Sequence, residues 1–506
     1  MARVRAAGAW AIAIGATPWA AACLVLFLAV PQFYLLPKGS TDVAASTVVT
    51  ILLVPGVLLA AWRGSGADLL RLGLFRVLIA LLVVRLLALA WSPDPRGGLP
   101  LITLLGQFIV TLMLMLQALR QDPGLLRRIE RWYWPWIVAE AVLVLVFRVL
   151  PGVEDAFLRS IAGIVSGQNT AAALFAGSPN NVFDEAKSGG VFVNANVAGL
   201  FLGVNAVAAF AVATITGSRW TRVVGFVALA AVPVTGSKSA TLLAIALPAA
   251  VLAVQRLTRA RRTAESGLPP HGSHRRAPRT ARRRLPVWLA GVGLVGVVVG
   301  VILAVELGFA QALAKSFGDR TAIWGFGAEA FLRDPLLGLG YGGWDAGFGA
   351  YAREHGIYRS FPPHNVLLAA WAATGLAGLV LTAVFFTLAL RLAVRAAMAG
   401  SGKHRTFALW TTAAIAWTLI HGLGDNTEIF GDIHLIPILS LLVAYLIVAD
   451  RKESNDHATA HRRDSATSTV PAVGDVHPEP GPGDAQFPAV VRGPRPGPDP
   501  AGNRVG

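Results

Sequence analysis

Three side chains, far apart in the chain, have the chemistry to hold an anion and move a proton. Lys238 lies in Thr235-Gly236-Ser237-Lys238-Ser239, between two closely spaced apolar runs. A cation there is solvated, snorkels along its own stem, or meets an anion. Arg320 follows Asp319 and precedes Trp324. Two readings stand for it: a surface pair with Asp319 or Glu329, which contributes little, or a planar fork presented to phosphate oxygens. His364 and Asn365 follow Phe361-Pro362-Pro363. The prolines fix the approach of the chain. The imidazole, with an unperturbed pKa of about 6.5, either caps a helix or moves a proton near neutrality. Two cations and one titratable group on one side of a membrane suit an anionic diphosphate lipid.

The elements that must position these residues are membrane helices. The 506 residues are 55% hydrophobic and 14% charged, with a mean hydropathy of +0.59, outside the range of a soluble domain. Apolar runs long enough to cross a hydrocarbon core of about 30 Å fall near residues 11 to 34, 46 to 62, 74 to 92, 99 to 119, 133 to 151, 190 to 214, 221 to 236, 239 to 255, 287 to 310, 364 to 392, 405 to 422 and 430 to 449. The expected fold is therefore all-α and polytopic, with about 12 transmembrane helices. Arg63, Arg71 and Arg76, then Arg120, Arg127, Arg128 and Arg131, then Arg219 and Arg222, then the Arg-rich stretch 256 to 286, all fall between spans on one side. The positive-inside rule makes that side cytoplasmic, with both termini inside. Residues 1–450 then form one transmembrane domain, and 451–506, rich in Pro, Gly and Asp, read as a disordered cytoplasmic tail.

The opposite face receives the connections 152 to 189 and 311 to 363. The second, a long extracytoplasmic loop between spans 9 and 10, carries Trp324, Tyr341, Trp344 and Tyr351 among many glycines, and its rings suit the headgroup level. Asn194 and Asn196 open the sixth span and either bond sugar hydroxyls or bond backbone. Asp425, Asn426 and Glu428, like Asp184 and Glu185, read as solvated turns. The net charge of +16 follows from the cytoplasmic loops, so nucleic acid is not an expected partner. Cys23 is the only cysteine, which excludes an intrachain disulfide. No His-Glu-x-x-His, Cys-x-x-Cys or P-loop motif stands in a convincing context, so no metal and no cofactor is expected.

Asp319-Arg320-Thr321-Ala322-Ile323-Trp324, Asp334-Pro335-Leu336-Leu337-Gly338-Leu339-Gly340-Tyr341-Gly342, Pro363-His364-Asn365 and Thr374-Gly375-Leu376-Ala377-Gly378 resemble, in order and spacing, the O-antigen ligase and polymerase family. Gly236-Ser237-Lys238-Ser239 looks like that family's Ser-Arg motif, and Phe192 to Asn196 like its Asn-containing segment. The resemblance covers roughly residues 190–390. It implies a multi-pass bacterial inner-membrane glycosyltransferase of cell-envelope polysaccharide biosynthesis. The enzyme would be inverting and metal-independent, and would move a glycan from a polyprenyl-diphosphate donor to a glycan or lipid-glycan acceptor at the extracytoplasmic face. Carried over by position, Arg320 engages the donor diphosphate with help from Lys238, and His364 deprotonates or orients the acceptor hydroxyl. Asn196, Asn365 and Trp324 are candidates for glycan contact. The family's first arginine is a lysine here, and its glycine before the second arginine is Asp319.

Ligation and polymerisation share these motifs. Two other functions compete with them. A polyprenyl-phosphate-sugar transferase would need a carboxylate in the first outer loop, where Asp42 is the candidate. A lipid-linked glycan transporter or flippase would place ionisable residues near the midplane, whereas the charges here are expected at span ends.

Overall fold

A computed structural model describes residues 45–60, 72–122, 124–160, 174–175, 184, 186–265, 309–355 and 361–450. Its helices are α1 (Ala45–Ala60), α2 (Gly73–Ala88), α3 (Pro95–Gln121), α4 (Leu125–Val149), α5 (Pro151–Ser160), α6 (Ala195–Thr216), α7 (Arg219–Ala231), α8 (Lys238–Glu265), α9 (Phe309–Arg333), α10 (Gly343–Glu354), α11 (Val366–Ala399), α12 (Gly402–Gly422) and α13 (Ile433–Asp450). Each expected span on described residues overlaps a helix, although α4 begins eight residues before the expected 133 and α8 runs ten residues past the expected 255. The expected spans 11 to 34 and 287 to 310, and the tail 451–506, lie outside the described residues or nearly so. Six helices, α3, α4, α6, α8, α11 and α13, are long and apolar enough to cross a membrane. The chain is an all-α, multi-pass membrane protein.

Helix α6 is the central post, buried along almost its whole length and packed against α4, α7, α8 and α12. Small residues let the neighbours in, as is usual where lipid supplies no hydrophobic drive. At Gly203 an added Cβ would overlap the Trp417 indole, and at Gly199 it would crowd Ala240 and Ser237. Tyr133 on α4 donates to Asn205 Oδ1 on α6 at 2.7 Å, and Asn205 Nδ2 donates to the Phe201 carbonyl.

The connection 311 to 363 is not irregular. Most of it is folded into α9 and α10, which pack through Ile323, Phe326, Trp344 and Phe348 onto Trp371 of α11. Phe326 meets Trp344 edge-on at 5.0 Å, and Trp344 Nε1 donates to the Phe361 carbonyl. The turn between these helices is inserted into a break in α11. Gly375 has φ +70°, ψ −164°, and is not helical. There the Leu376 N–H donates to the carbonyls of Pro335 and Leu336, while the Leu339 N–H donates to the Ala372 carbonyl at 2.8 Å. Gly338 and Gly375 permit the approach, because a Cβ on either would overlap the opposing backbone. Backbone groups freed by the kink thus find partners within the protein, as an apolar surrounding requires.

Candidate functional site

The site is organised by the chain between α12 and α13. Helix α12 ends at His421–Gly422, and the Gly424 N–H closes the turn on the His421 carbonyl at 3.0 Å. Three sequence-predicted residues converge on the next three positions. Asn365 Nδ2 donates to the Leu423 carbonyl at 3.2 Å, Arg320 Nη2 donates to the Gly424 carbonyl, and His364 Nδ1 lies 3.4 Å from Asp425 Oδ1. The last separation is long for a hydrogen bond, but contacts of this kind tighten when substrate binds.

Local structure explains the convergence. Asn365 is the N-cap of α11, its Oδ1 accepting from the N–H groups of Leu367 and Leu368 at 2.9 and 3.1 Å. Asn365 also ties α11 to the end of α12 through its bond to the Leu423 carbonyl. One residue earlier the backbone is left-handed, with φ +46° at His364, an uncommon state for a residue with a Cβ. Arg320 rides on α9, one turn before Trp324, and the aromatic packing of α9 and α10 fixes where it points.

Asp425 carries the main anionic charge of this turn. Burial alone pushes its carboxyl up, but the approach of His364, the nearby His421 and the Asn426 N–H outweigh that and hold it below the usual carboxylate range. An ionised carboxylate facing Nδ1 orients the imidazole and leaves Nε2 to exchange a proton.

The remaining candidates have other local partners. Lys238, half-buried, begins α8 after a turn that is held by Ser188, whose N–H donates to the Thr235 carbonyl at 3.0 Å. Asn194 caps α6 by accepting from the Asn196 N–H at 2.9 Å, so at least Asn194 bonds backbone; Asn196 is half-buried in the first turn. Trp324 is half-buried against the aromatic cluster, and among the described residues its Nε1 has no hydrogen-bond partner. Asp42 and Glu185 lie outside the described residues, and Asp184 is exposed in a turn.

Two expectations are corrected. Asp425 and Glu428 do not belong to a solvated turn. Asp425 is 8% exposed, and Glu428 Oε2 pairs with Arg85 Nη2 of α2 at 2.7 Å, Arg85 also donating to the Leu101 carbonyl. Only Asn426 is exposed. The turn folds inward because these polar groups find partners on α2, α11 and α12. Nor do the charges sit only at span ends. Glu140 is buried well inside α4, accepting from the Val191 N–H at 3.1 Å. Sequence reasoning also passed over His421, fully buried at the end of α12; an ionisable residue closing an apolar run was the available signal.

No group of three or more His, Cys, Asp or Glu side chains able to hold a metal ion occurs among the described residues. Residues 223–383 match a family model described as O-antigen ligase. No curated protein matches the chain.

Proposed function

We propose, from the chain's place in the O-antigen ligase family through residues 223–383, that this membrane protein transfers a glycan from a polyprenyl-diphosphate donor to an acceptor hydroxyl, by ligation or polymerisation. The observation that carries the proposal is that Arg320 and His364 meet on Gly424 and Asp425. The acceptor oxygen attacks the anomeric carbon and the bond from that carbon to the phosphate oxygen breaks. The acceptor proton passes to His364 Nε2, whose imidazolium is stabilised by Asp425. The leaving polyprenyl diphosphate gains negative charge as the bond breaks, and Arg320 meets that charge as a preorganised cation. Lys238, which stands at the position of the family's first arginine, is the candidate for a second cation at the donor end. Displacement from the face opposite the diphosphate inverts the anomeric centre, and the two cations do the work that a divalent metal does in other glycosyl transfers. The reaction belongs to the extracytoplasmic face of a bacterial inner membrane, with both termini cytoplasmic.

The test is transfer of a labelled glycan from polyprenyl diphosphate by the purified protein in the presence of EDTA. Wild type is active, and His364→Ala and Arg320→Ala lose transfer. Full activity in both variants would overturn the site, and activity abolished by EDTA would overturn the metal-free route. The product's size separates a single ligation from polymerisation.

A further inference from the structure

A cavity of about 380 Å³ opens beside the site, between α2, α3, the start of α11 and the turn 426–433. It begins one residue past Asp425 and two past His364, with Val366 and Asn426 in its wall. Its volume is at the small end of the range for small-molecule sites. One wall is the apolar face of α11 at Ala369 and Ala373; the other carries Arg85, Asn426, Glu428 and Asp432.

The charges select the ligand class. The guanidinium of Arg85 is the cation of this wall, and the Glu428 carboxylate neutralises it at 2.7 Å, so no net positive charge remains to attract phosphate. Asp432 adds a carboxylate, and its Oδ1 accepts from the His434 N–H at 2.9 Å. A diphosphate entering here would meet more carboxylates than cations. Fixed donors and acceptors around a neutral ion pair, with a flat aliphatic wall opposite, suit a ligand with many hydroxyls and one apolar face. Rigidity favours the same class. Tyr341 in the wall donates its hydroxyl to the Arg85 carbonyl at 3.1 Å, and burial pushes that phenol up to about 12, so it remains a donor at physiological pH. Arg85 itself is held by both Leu101 and Glu428.

We infer that this cavity is the acceptor subsite, taking one neutral sugar of the acceptor glycan and presenting its hydroxyl toward His364. The inference rests on the transfer reaction proposed above, with the donor diphosphate on the Arg320 side of the turn and the acceptor sugar on the Asn426 side.

Binding of neutral methyl hexosides at millimolar concentration to full-length protein in lipid nanodiscs, followed by saturation-transfer NMR, tests it without turnover. Binding of at least one hexoside is expected, weakened tenfold or more both in Ala373→Phe, which fills the cavity, and in Asn426→Ala, which removes an exposed side chain that the fold does not need. Inorganic diphosphate leaves the sugar signal unchanged, and so does Arg320→Ala. Hexoside binding unaltered in folded Ala373→Phe and Asn426→Ala, displacement by diphosphate, or no hexoside bound by folded wild type would each overturn the subsite. Loss of transfer in His364→Ala speaks to the reaction alone, so the two proposals fail separately.

Discussion

Replacing Asp425 by Asn removes one charge and preserves shape, which isolates the electrostatic part of the His364–Asp425 pair. Its side chains are 25% and 12% exposed, and the nearest atoms are 3.4 Å apart. Two unit charges at that distance interact by roughly 5 kcal/mol at an effective dielectric of about 20. Water around the imidazole and the cost of keeping the carboxylate desolvated leave about 1.5 to 2.5 kcal/mol. In the proposed reaction the imidazole is charged only as it takes the acceptor proton, so this energy acts on the transition state and not on substrate binding. Asp425→Asn should therefore lower kcat by about tenfold to seventyfold with donor and acceptor KM little changed. Steady-state transfer with labelled donor, at pH 7 and varied acceptor, gives both parameters. A kcat within twofold of wild type, in a variant that melts normally, would refute the charge-pair reasoning. A rise in KM alone would move Asp425 from catalysis to binding.

Gly375→Ala should destabilise the protein by about 2 to 4 kcal/mol, because the glycine-only backbone and the inserted turn are both lost; a melting point within 1 °C of wild type, on the order of 1 kcal/mol or less for a chain of this length, would contradict the account of the break in α11. Asn365→Ala should cost about 1 to 2 kcal/mol through loss of the N-cap, with Asn365→Asp recovering the cap but not the bond to Leu423, and thermal melts of the two variants separate these contributions. Because the Asp425 carboxyl is held below its ordinary range, its stabilising contribution should be fully present above about pH 4 and vanish as pH falls through its lower folded value. The melting-temperature gap between wild type and Asp425→Asn should then be flat from pH 5 to 8 and close only in stronger acid; a gap that closes near pH 6 would show the opposite sign of shift.

The membrane helices were legible because burial in lipid writes itself as apolar runs, and each described span fell where such a run lies. Arg320 was legible as a cation within its Asp-Arg motif, although mid-helix and not in a loop, and His364 and Asn365 were legible at a Pro-Pro entry. What sequence could not supply was the surface they meet on. The Gly424 carbonyl is a backbone group with no signature, and Asp425 and Glu428 look solvated until Arg85, more than 300 residues away in the chain, is seen beside Glu428. The break at Gly375 was likewise hidden, since α11 reads as one uninterrupted apolar run and only the inserted carbonyls of Pro335 and Leu336 account for the kink. Asn365 read in sequence only as a candidate glycan contact; its capping of α11 became visible only with the helix start in place.

The left-handed backbone at His364 sets backbone preference and activity in opposition. With φ at +46°, glycine or asparagine is the residue that the backbone itself favours there, by about 1 kcal/mol. In His364→Gly the backbone relaxes while buried Asp425 loses its partner, so heat resistance should change little while turnover disappears. A selection for thermal tolerance alone would leave this position free to drift from histidine, and a selection for glycan transfer would hold it. The divergence between two such selections identifies a working imidazole without any knowledge of the sugar it serves.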